Sequence, residues 1–196
     1  MRSRLPAILS VVLAFLLTAC SEPPTREMHQ AQGAIDAARA AGAGQYAPEE
    51  LQAAIDSLRQ AEEAVAERDY RLALDRALDS RERAQAAAAE AASQKAAVRS
   101  EAERLLAAAT SSIALAAERL QAAEAARTRT PAVDELRTAL ASARADVESA
   151  GKALAAEDYL GARATLEGIP KRLEEAMQAL AAAPAPRPAR PAGRNR

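Results

Sequence analysis

The chain has 196 residues, of which 49% are hydrophobic and only 2% aromatic, and its formal net charge is −1. Much of the hydrophobic fraction is alanine, which buries little area per residue, so a thick globular core is excluded. Alanine is the best helix former, and its combination with Glu, Leu and Arg in helical periodicity is typical of long helices or coiled coils. We therefore predict an all-α fold of long Ala-rich antiparallel helical hairpins or a coiled-coil bundle.

The charge is unevenly distributed. Without Arg2 and Arg4 the net charge becomes −3, and setting aside the four arginines that follow Ala183 leaves −7 on residues 20–182. An acidic body argues against a nucleic-acid partner, because phosphate contacts require clustered basic side chains.

The N-terminal segment has the layout of an export signal. Arg2 and Arg4 precede an apolar run from Leu5 to about Leu17, which is shorter than the roughly 20 residues that span a bilayer. The run ends at Leu17-Thr18-Ala19-Cys20, which resembles the lipobox of bacterial lipoproteins.

The resemblance implies that residues 1–19 are a signal peptide cleaved between Ala19 and Cys20. It also implies that Cys20 carries an S-diacylglycerol and an N-acyl chain of the palmitate type. Two or more acyl chains hold a protein stably at a membrane, so we expect a protein anchored by covalent lipid and facing the periplasm. Ser21 follows the cysteine, and the absence of Asp there favours the outer membrane. The alternative is an ordinary signal peptide, or an uncleaved anchor, with a chance cysteine.

The first helices follow a short linker at residues 20–24, which contains Pro23 and Pro24. Thr25 is expected to cap a first helix that runs to about Ala41 and ends at Gly42 and Gly44. A second helix is predicted from Tyr46-Ala47-Pro48 to about Glu67. Its apolar positions alternate in three- and four-residue steps, the spacing of a coiled-coil seam: Leu51, Ala54, Leu58, Ala61 and Val65.

Asp69-Tyr70 is predicted to form a tight turn or a cap before a third helix. Apolar residues seven apart support that helix, namely Ala77, Ala84, Ala91, Val98 and Leu105. It can continue to Ala126, and Thr110-Ser111-Ser112 is the expected place for a break because short hydroxyl side chains compete for backbone hydrogen bonds. Residues 25–127 are thus predicted as a helical region with the first helix-turn-helix repeat.

Residues 128–182 are predicted as a second helical hairpin. Thr130 is expected to cap its first helix, with Pro131 at the first helical position. Asp158-Tyr159 is the predicted turn, and Gly168 with Pro170 should kink or break the returning helix. Residues 183–196 are rich in Pro and Arg and are predicted to be a disordered tail.

The two hairpins are related by an internal repeat. Tyr159 follows Tyr70 by 89 residues, and at this offset the apolar seam stays in register through both Asp-Tyr corners. Each tyrosine ring is expected to cover the end of its seam and leave its hydroxyl in water. A chance match among Ala-rich heptads is the alternative. Tetratricopeptide repeats are a weaker alternative, because their 34-residue period and Trp-Leu-Gly pattern are absent.

Residues from Ala31 to about Leu106 resemble an Ala-rich helical family of bacterial lipoproteins that is known only as a domain of unknown function. The resemblance is carried by the segment from Ala34 to Ala43, by Tyr46-Ala47-Pro48-Glu49-Glu50-Leu51, and by Asp69-Tyr70 with Ala73. Some members carry a peptidoglycan-binding OmpA-like domain behind this segment, which this chain lacks. The resemblance therefore implies a location and a fold but no activity.

No catalytic constellation, metal site or cofactor site is predicted. His29 is the single histidine, and lipidation of Cys20 would remove the single thiol. The adjacent acidic pairs point about 100° apart on a helix, so they form a solvated face rather than dyads: Glu49-Glu50, Glu62-Glu63 and Glu174-Glu175. We therefore predict that the protein is not an enzyme.

The sequence favours a lipid-anchored periplasmic helical protein with a structural or partner-binding role in the cell envelope. Its partner is expected to be an unknown envelope protein or a second copy, because narrow apolar stripes require a partner helix. The alternative is an accessory binding module for an envelope enzyme or transport machine. The tail arginines are candidates for contact with an anionic envelope polymer: Arg187, Arg190, Arg194 and Arg196.

Overall fold

A computed structural model describes residues 22–128 and 130–183. Across these residues the chain is all-α and contains no strand, so the predicted fold class is confirmed. The predicted signal peptide, Ala19 and Cys20 lie outside the described residues, as do the tail from residue 184 onward and its four arginines. The helices are α1 (Thr25–Ala40), α2 (Ala43–Tyr46), α3 (Pro48–Ala66), α4 (Tyr70–Ala125), α5 (Pro131–Ala155), α6 (Tyr159–Leu166) and α7 (Ile169–Ala182).

The chain divides into two compact units between Lys95 and Ala96, inside α4. The N-terminal unit packs α1, α3 and the first part of α4 around a core made largely of alanine. The C-terminal unit packs the second part of α4 against α5, α6 and α7. Its fully buried side chains are larger and include Leu136, Leu166, Ile169 and Leu173.

The break expected at Thr110-Ser111-Ser112 is wrong, since α4 is continuous over 56 residues. Thr110 donates its hydroxyl hydrogen bond to the carbonyl oxygen of Leu106 at 2.7 Å. The side chain thus bonds to the preceding helical turn instead of competing with it. A helix of this length also does not fit tetratricopeptide repeats, which hold two helices in 34 residues.

Of the two predicted threonine caps, the one at Thr25 is wrong, and Thr130 stands at the predicted N-cap before Pro131 but makes no side-chain capping bond. Thr25 is the first helical residue, and Pro24 stands at the N-cap, with its carbonyl oxygen accepting from Met28 N–H at 3.1 Å. Thr130 occupies the N-cap of α5, but its side chain makes no capping hydrogen bond. The Val133 N–H that such a cap would use is bonded instead to the backbone oxygen of Thr130 at 3.0 Å.

The predicted break at Gly168 and Pro170 is confirmed. Gly168 lies between α6 and α7 with a φ of 87°, and Pro170 occupies the first turn of α7. Glycine adopts this left-handed backbone without the clash between Cβ and the carbonyl oxygen that other residues meet. Ile169 is buried directly after this bend, so the bend returns the chain to the core of the C-terminal unit.

We expect Gly168→Ala to lower the free energy of unfolding by about 1–2 kcal/mol, the cost of a left-handed non-glycine residue. An added Cβ would meet nothing within 4 Å, so the loss would come from backbone strain alone. Gly151→Ala is the matched control, because Gly151 lies inside α5 and its added Cβ also meets nothing. That change should stabilise the protein by about 0.5–1 kcal/mol. Equal effects in urea unfolding would contradict the assigned role of Gly168.

Candidate functional site

The two Asp-Tyr corners share one backbone geometry. Arg68 and Glu157 both have a positive φ, of 62° and 60°. The next residue, Asp69 or Asp158, donates its N–H to a carbonyl oxygen five residues earlier at 2.9 Å. These are Schellman-type helix ends, in which a left-handed residue lets the chain reverse. Their recurrence 89 residues apart supports the internal repeat.

Each corner aspartate then caps the returning helix. The Asp69 carboxylate accepts from Leu72 N–H at 3.0 Å, and the Asp158 carboxylate accepts from Gly161 N–H at 2.9 Å. Both bonds satisfy an N–H of the first turn that has no partner inside its helix. The aspartates predicted as turns therefore have a structural role: the backbone N–H of each closes the preceding helix, and its side chain caps the following one.

The corner tyrosines differ in exposure. Tyr159 is 7% exposed, and the Arg99 guanidinium lies 5.9 Å from its ring centroid. Tyr70, at the same place in the first hairpin, is only partly buried. The first corner is thus the more open of the two.

A polar contact joins the two helices of each hairpin at equivalent places. In the N-terminal unit the Asp79 carboxylate accepts from the Ser57 hydroxyl at 2.6 Å and from Arg83 Nε at 2.8 Å. In the C-terminal unit Arg172, 89 residues after Arg83, donates to Asp146 at 2.6 Å. Asp146 itself follows Ser57 by 89 residues. The acid of the contact therefore lies on the returning helix in the first hairpin and on the first helix in the second, and both hairpins have the contact.

The hydrogen bonds from Arg83 and then Ser57 hold the pKa of Asp79 below its ordinary value of 3.8. A lowered pKa in the folded state means that the ionised carboxylate stabilises the fold above about pH 4. This stabilisation is lost as the pH falls through the folded-state pKa.

We expect Asp79→Asn to lower the free energy of unfolding by no more than about 1 kcal/mol at pH 7, since the pair is partly exposed and screened. The difference from the natural protein should shrink as the pH falls from 5 to 3, as measured by urea unfolding. Asp75→Asn, an exposed change on the same helix, is the control. A difference that grew with falling pH would contradict the assigned contact.

The remaining candidate residues lie on solvated surfaces. His29 is exposed, as are all six glutamates of the adjacent acidic pairs. Within residues 22–128 and 130–183 no three His, Cys, Asp or Glu side chains lie close enough together to hold a metal ion. None of the helices that these residues form is long and apolar enough to cross a bilayer.

An open groove of about 1000 Å³ lies beside the start of α5 in the C-terminal unit. Arg137 crosses this region and donates to Glu124 at 2.8 Å and to Asp134. The Thr130 hydroxyl is buried there without a hydrogen-bond partner among the described residues. Asp134, Arg137 and Arg172 of this groove are in ion pairs, and the arrangement identifies no chemistry.

Residues 26–102 match the model of a protein family described as a domain of unknown function, DUF4398. The match covers less than half of the chain and includes the first corner but not the second. It agrees with the resemblance inferred from residues 31–106. No curated protein and no solved structure matches the chain.

Proposed function

We propose that this protein is an exported lipoprotein whose helices have a structural or partner-binding role in the cell envelope and no catalytic role. The observation that carries the proposal is Leu17-Thr18-Ala19-Cys20, placed directly behind a short apolar run. The match of residues 26–102 to the DUF4398 domain is consistent with this role but assigns no activity.

The start of the fold suits attachment at Cys20. Helix α1 begins at Thr25, and Pro24 is already buried against the N-terminal unit. The five peptide units from Cys20 to Thr25 span at most about 18 Å. A lipid on Cys20 would therefore hold the N-terminal unit close to the bilayer surface, with the protein facing the periplasm. Ser21 after the cysteine favours the outer membrane.

The described helices have solvated, charged faces. Ion pairs four residues apart line the exposed faces, such as Arg59 with Glu63 and Lys152 with Glu148, both at 2.7 Å. Such pairs contribute little stability but keep a helix surface soluble. The partner would be an envelope protein or a second copy, and the tail arginines would add contact with an anionic polymer.

Mass spectrometry of the protein purified from membranes tests the anchor. We expect an N-terminus at Cys20 that carries a diacylglycerol and an amide-linked acyl chain. The Cys20→Ala variant should retain its signal segment and take up no labelled palmitate. An unmodified Cys20, or a mature N-terminus elsewhere, would refute the proposal.

The exposed leucines near the first corner favour the second candidate, an accessory binding module for an envelope enzyme or transport machine. Leu72, Leu74 and Leu78 are each between 36% and 38% exposed and lie within seven residues of one another on α4. Crosslinking in intact cells from these positions, with Leu115 as the control, would test this role. Recovery of the same envelope machine from the first three sites alone would support it.

A further inference from the structure

Tyr70, Leu74 and Leu78 form an apolar stripe at the start of α4, which we name the corner stripe. The three residues recur every four positions, so their side chains are neighbours on one helix face. Leu74 and Leu78 are 36% and 38% exposed, and Tyr70 is partly buried. The stripe thus leaves apolar surface uncovered within the N-terminal unit.

The second hairpin shows which residues lie at the position equivalent to the corner stripe. The residues 89 positions after the corner stripe are Tyr159, Arg163 and Glu167. Arg99 of α4 lies over Tyr159, and Glu101 of α4 accepts from Arg163 at 3.3 Å. The equivalent surface of the C-terminal unit is therefore more polar. The segment of α4 just before Ala102 contacts Tyr159 and Arg163, while the Arg163 side chain stays 38% exposed and Glu167 is exposed.

Helix α1 takes the place in the N-terminal unit that this part of α4 takes in the C-terminal unit. Residues that are buried in both helices match at an offset of 78: Pro24 with Ala102, Ala31 with Ala109 and Ala38 with Ala116. In this register Glu101, which accepts from Arg163, corresponds to Pro23. The first described residues, 22–24, therefore correspond to the segment of α4 that contacts the second hairpin.

The direction of α1 leads toward the same end of the unit. Gln30 of α1 accepts from Arg81 of α4 at 2.9 Å, which sets the level of the two helices. Thr25 lies about 7.5 Å from Gln30 along α1, and Leu74 lies about 10.5 Å from Arg81 along α4. Both distances run toward the first corner, because α1 and α4 are parallel. The N-terminal end of α1 therefore lies at about the level of the corner stripe.

We propose that the corner stripe lies against the surface of the bilayer that carries Cys20, an inference that rests on the proposed function. Tyrosine and leucine suit the boundary between head groups and acyl chains, where the phenol hydroxyl stays hydrated. Arg68 and Arg71 are exposed at the same corner and can contact lipid phosphates. Two leucines are too little apolar area to bind alone, but the tether raises their effective concentration at the surface.

Tryptophan fluorescence in the full lipidated protein tests this placement, because the natural chain has no tryptophan. Leu74→Trp places the reporter in the corner stripe. Leu115→Trp is the matched control at an exposed leucine of the C-terminal unit. Each variant is reconstituted into phosphatidylethanolamine–phosphatidylglycerol vesicles that contain phosphatidylcholine brominated near the top of its acyl chains. We expect at least about threefold stronger quenching for the residue at 74, with a blue-shifted emission.

Quenching of both tryptophans alike, or of neither, in vesicle-bound protein would overturn the inference and leave the anchor intact. A protein whose Cys20 carries no lipid in mass spectrometry would refute the proposed function and this inference with it. A second copy over the corner stripe would give a dimer in sedimentation, and the Leu74→Glu, Leu78→Glu double variant would be a monomer; this result would also overturn the inference. Crosslinks from Leu74 and Leu78 to one envelope protein would overturn it as well. Residues 74, 78 and 115 are exposed, so substitutions there are compatible with folding. An unchanged melting temperature of each variant would verify this.

Discussion

Leu173→Ala should lower the free energy of unfolding by about 2–5 kcal/mol, the range for deleting a fully buried leucine side chain. Leu173 has no exposed surface and packs in the C-terminal unit with Leu136, Leu166 and Ile169. The surrounding side chains relax only partly around such a cavity, so the cavity adds to the loss of buried apolar surface. Urea unfolding followed by circular dichroism would measure the loss.

Leu115→Ala is the control for this cavity, because Leu115 is 46% exposed on the same unit. It removes the same atoms from a surface position, where substitutions usually change stability by less than about 0.5 kcal/mol. A loss at Leu173 no larger than the loss at Leu115 would contradict the packing of the C-terminal unit.

Ala84→Leu should destabilise the protein by about 1–3 kcal/mol, because added methylene groups in a packed core force side chains and backbone apart. Ala84 precedes Leu173 by 89 residues and is equally buried. The N-terminal unit thus has alanine at the place where the C-terminal unit has leucine. Its returning helix is packed closely, and the Ser80 hydroxyl donates to the backbone oxygen of Ala54 at 2.8 Å.

Ala89→Leu is the control for this overpacking, since Ala89 is exposed on the same helix. Both alanine and leucine favour a helix, so this change should alter the unfolding free energy by less than about 0.5 kcal/mol. If Ala84→Leu were neutral or stabilising, the core of the N-terminal unit would have space for a leucine beside residue 84, which would contradict the close packing described here. Together with Leu173→Ala, the pair tests whether two copies of one hairpin have diverged into a close-packed and a wide form.

The internal repeat explains why so much of the chain could be predicted. Ala-rich heptads specify helices whatever their neighbours are, and Asp-Tyr marks both corners because an aspartate can cap the helix that follows it. Gly168 and Pro170 predict the break between α6 and α7 from local backbone preferences alone. No sequence signal marks Arg68 and Glu157 as left-handed, since neither is Gly or Asn, and the helix reversal alone requires that backbone.

The polar contacts between helices leave no clear signal in the sequence. In the N-terminal unit the acid of the polar contact is Asp79, on the returning helix of the hairpin, whereas in the C-terminal unit it is Asp146, on the first helix. The two acids do not align at the 89-residue offset, so the sequence repeat does not reveal the shared contact. Tyr70 is partly buried whereas Tyr159 is buried, a difference that depends on the residues packed around each corner. Exposure of Leu74 and Leu78 could not be read from a sequence in which both fit a helical apolar pattern.

Local sequence signals suffice to predict the helical class, the two Asp-Tyr corners and the break at Gly168, and they mark Cys20 as the residue on which the proposed anchor depends. These features follow from local propensities and spacing, which act within a few residues. The packing of the helices, in contrast, decides that α4 continues through Thr110-Ser111-Ser112 and that Leu74 and Leu78 stay exposed. It also decides that Thr25 does not cap α1 and that the Thr130 side chain makes no capping bond. Those outcomes depend on which helices pack together and where each one begins, because burial is a property of neighbours distant in the chain.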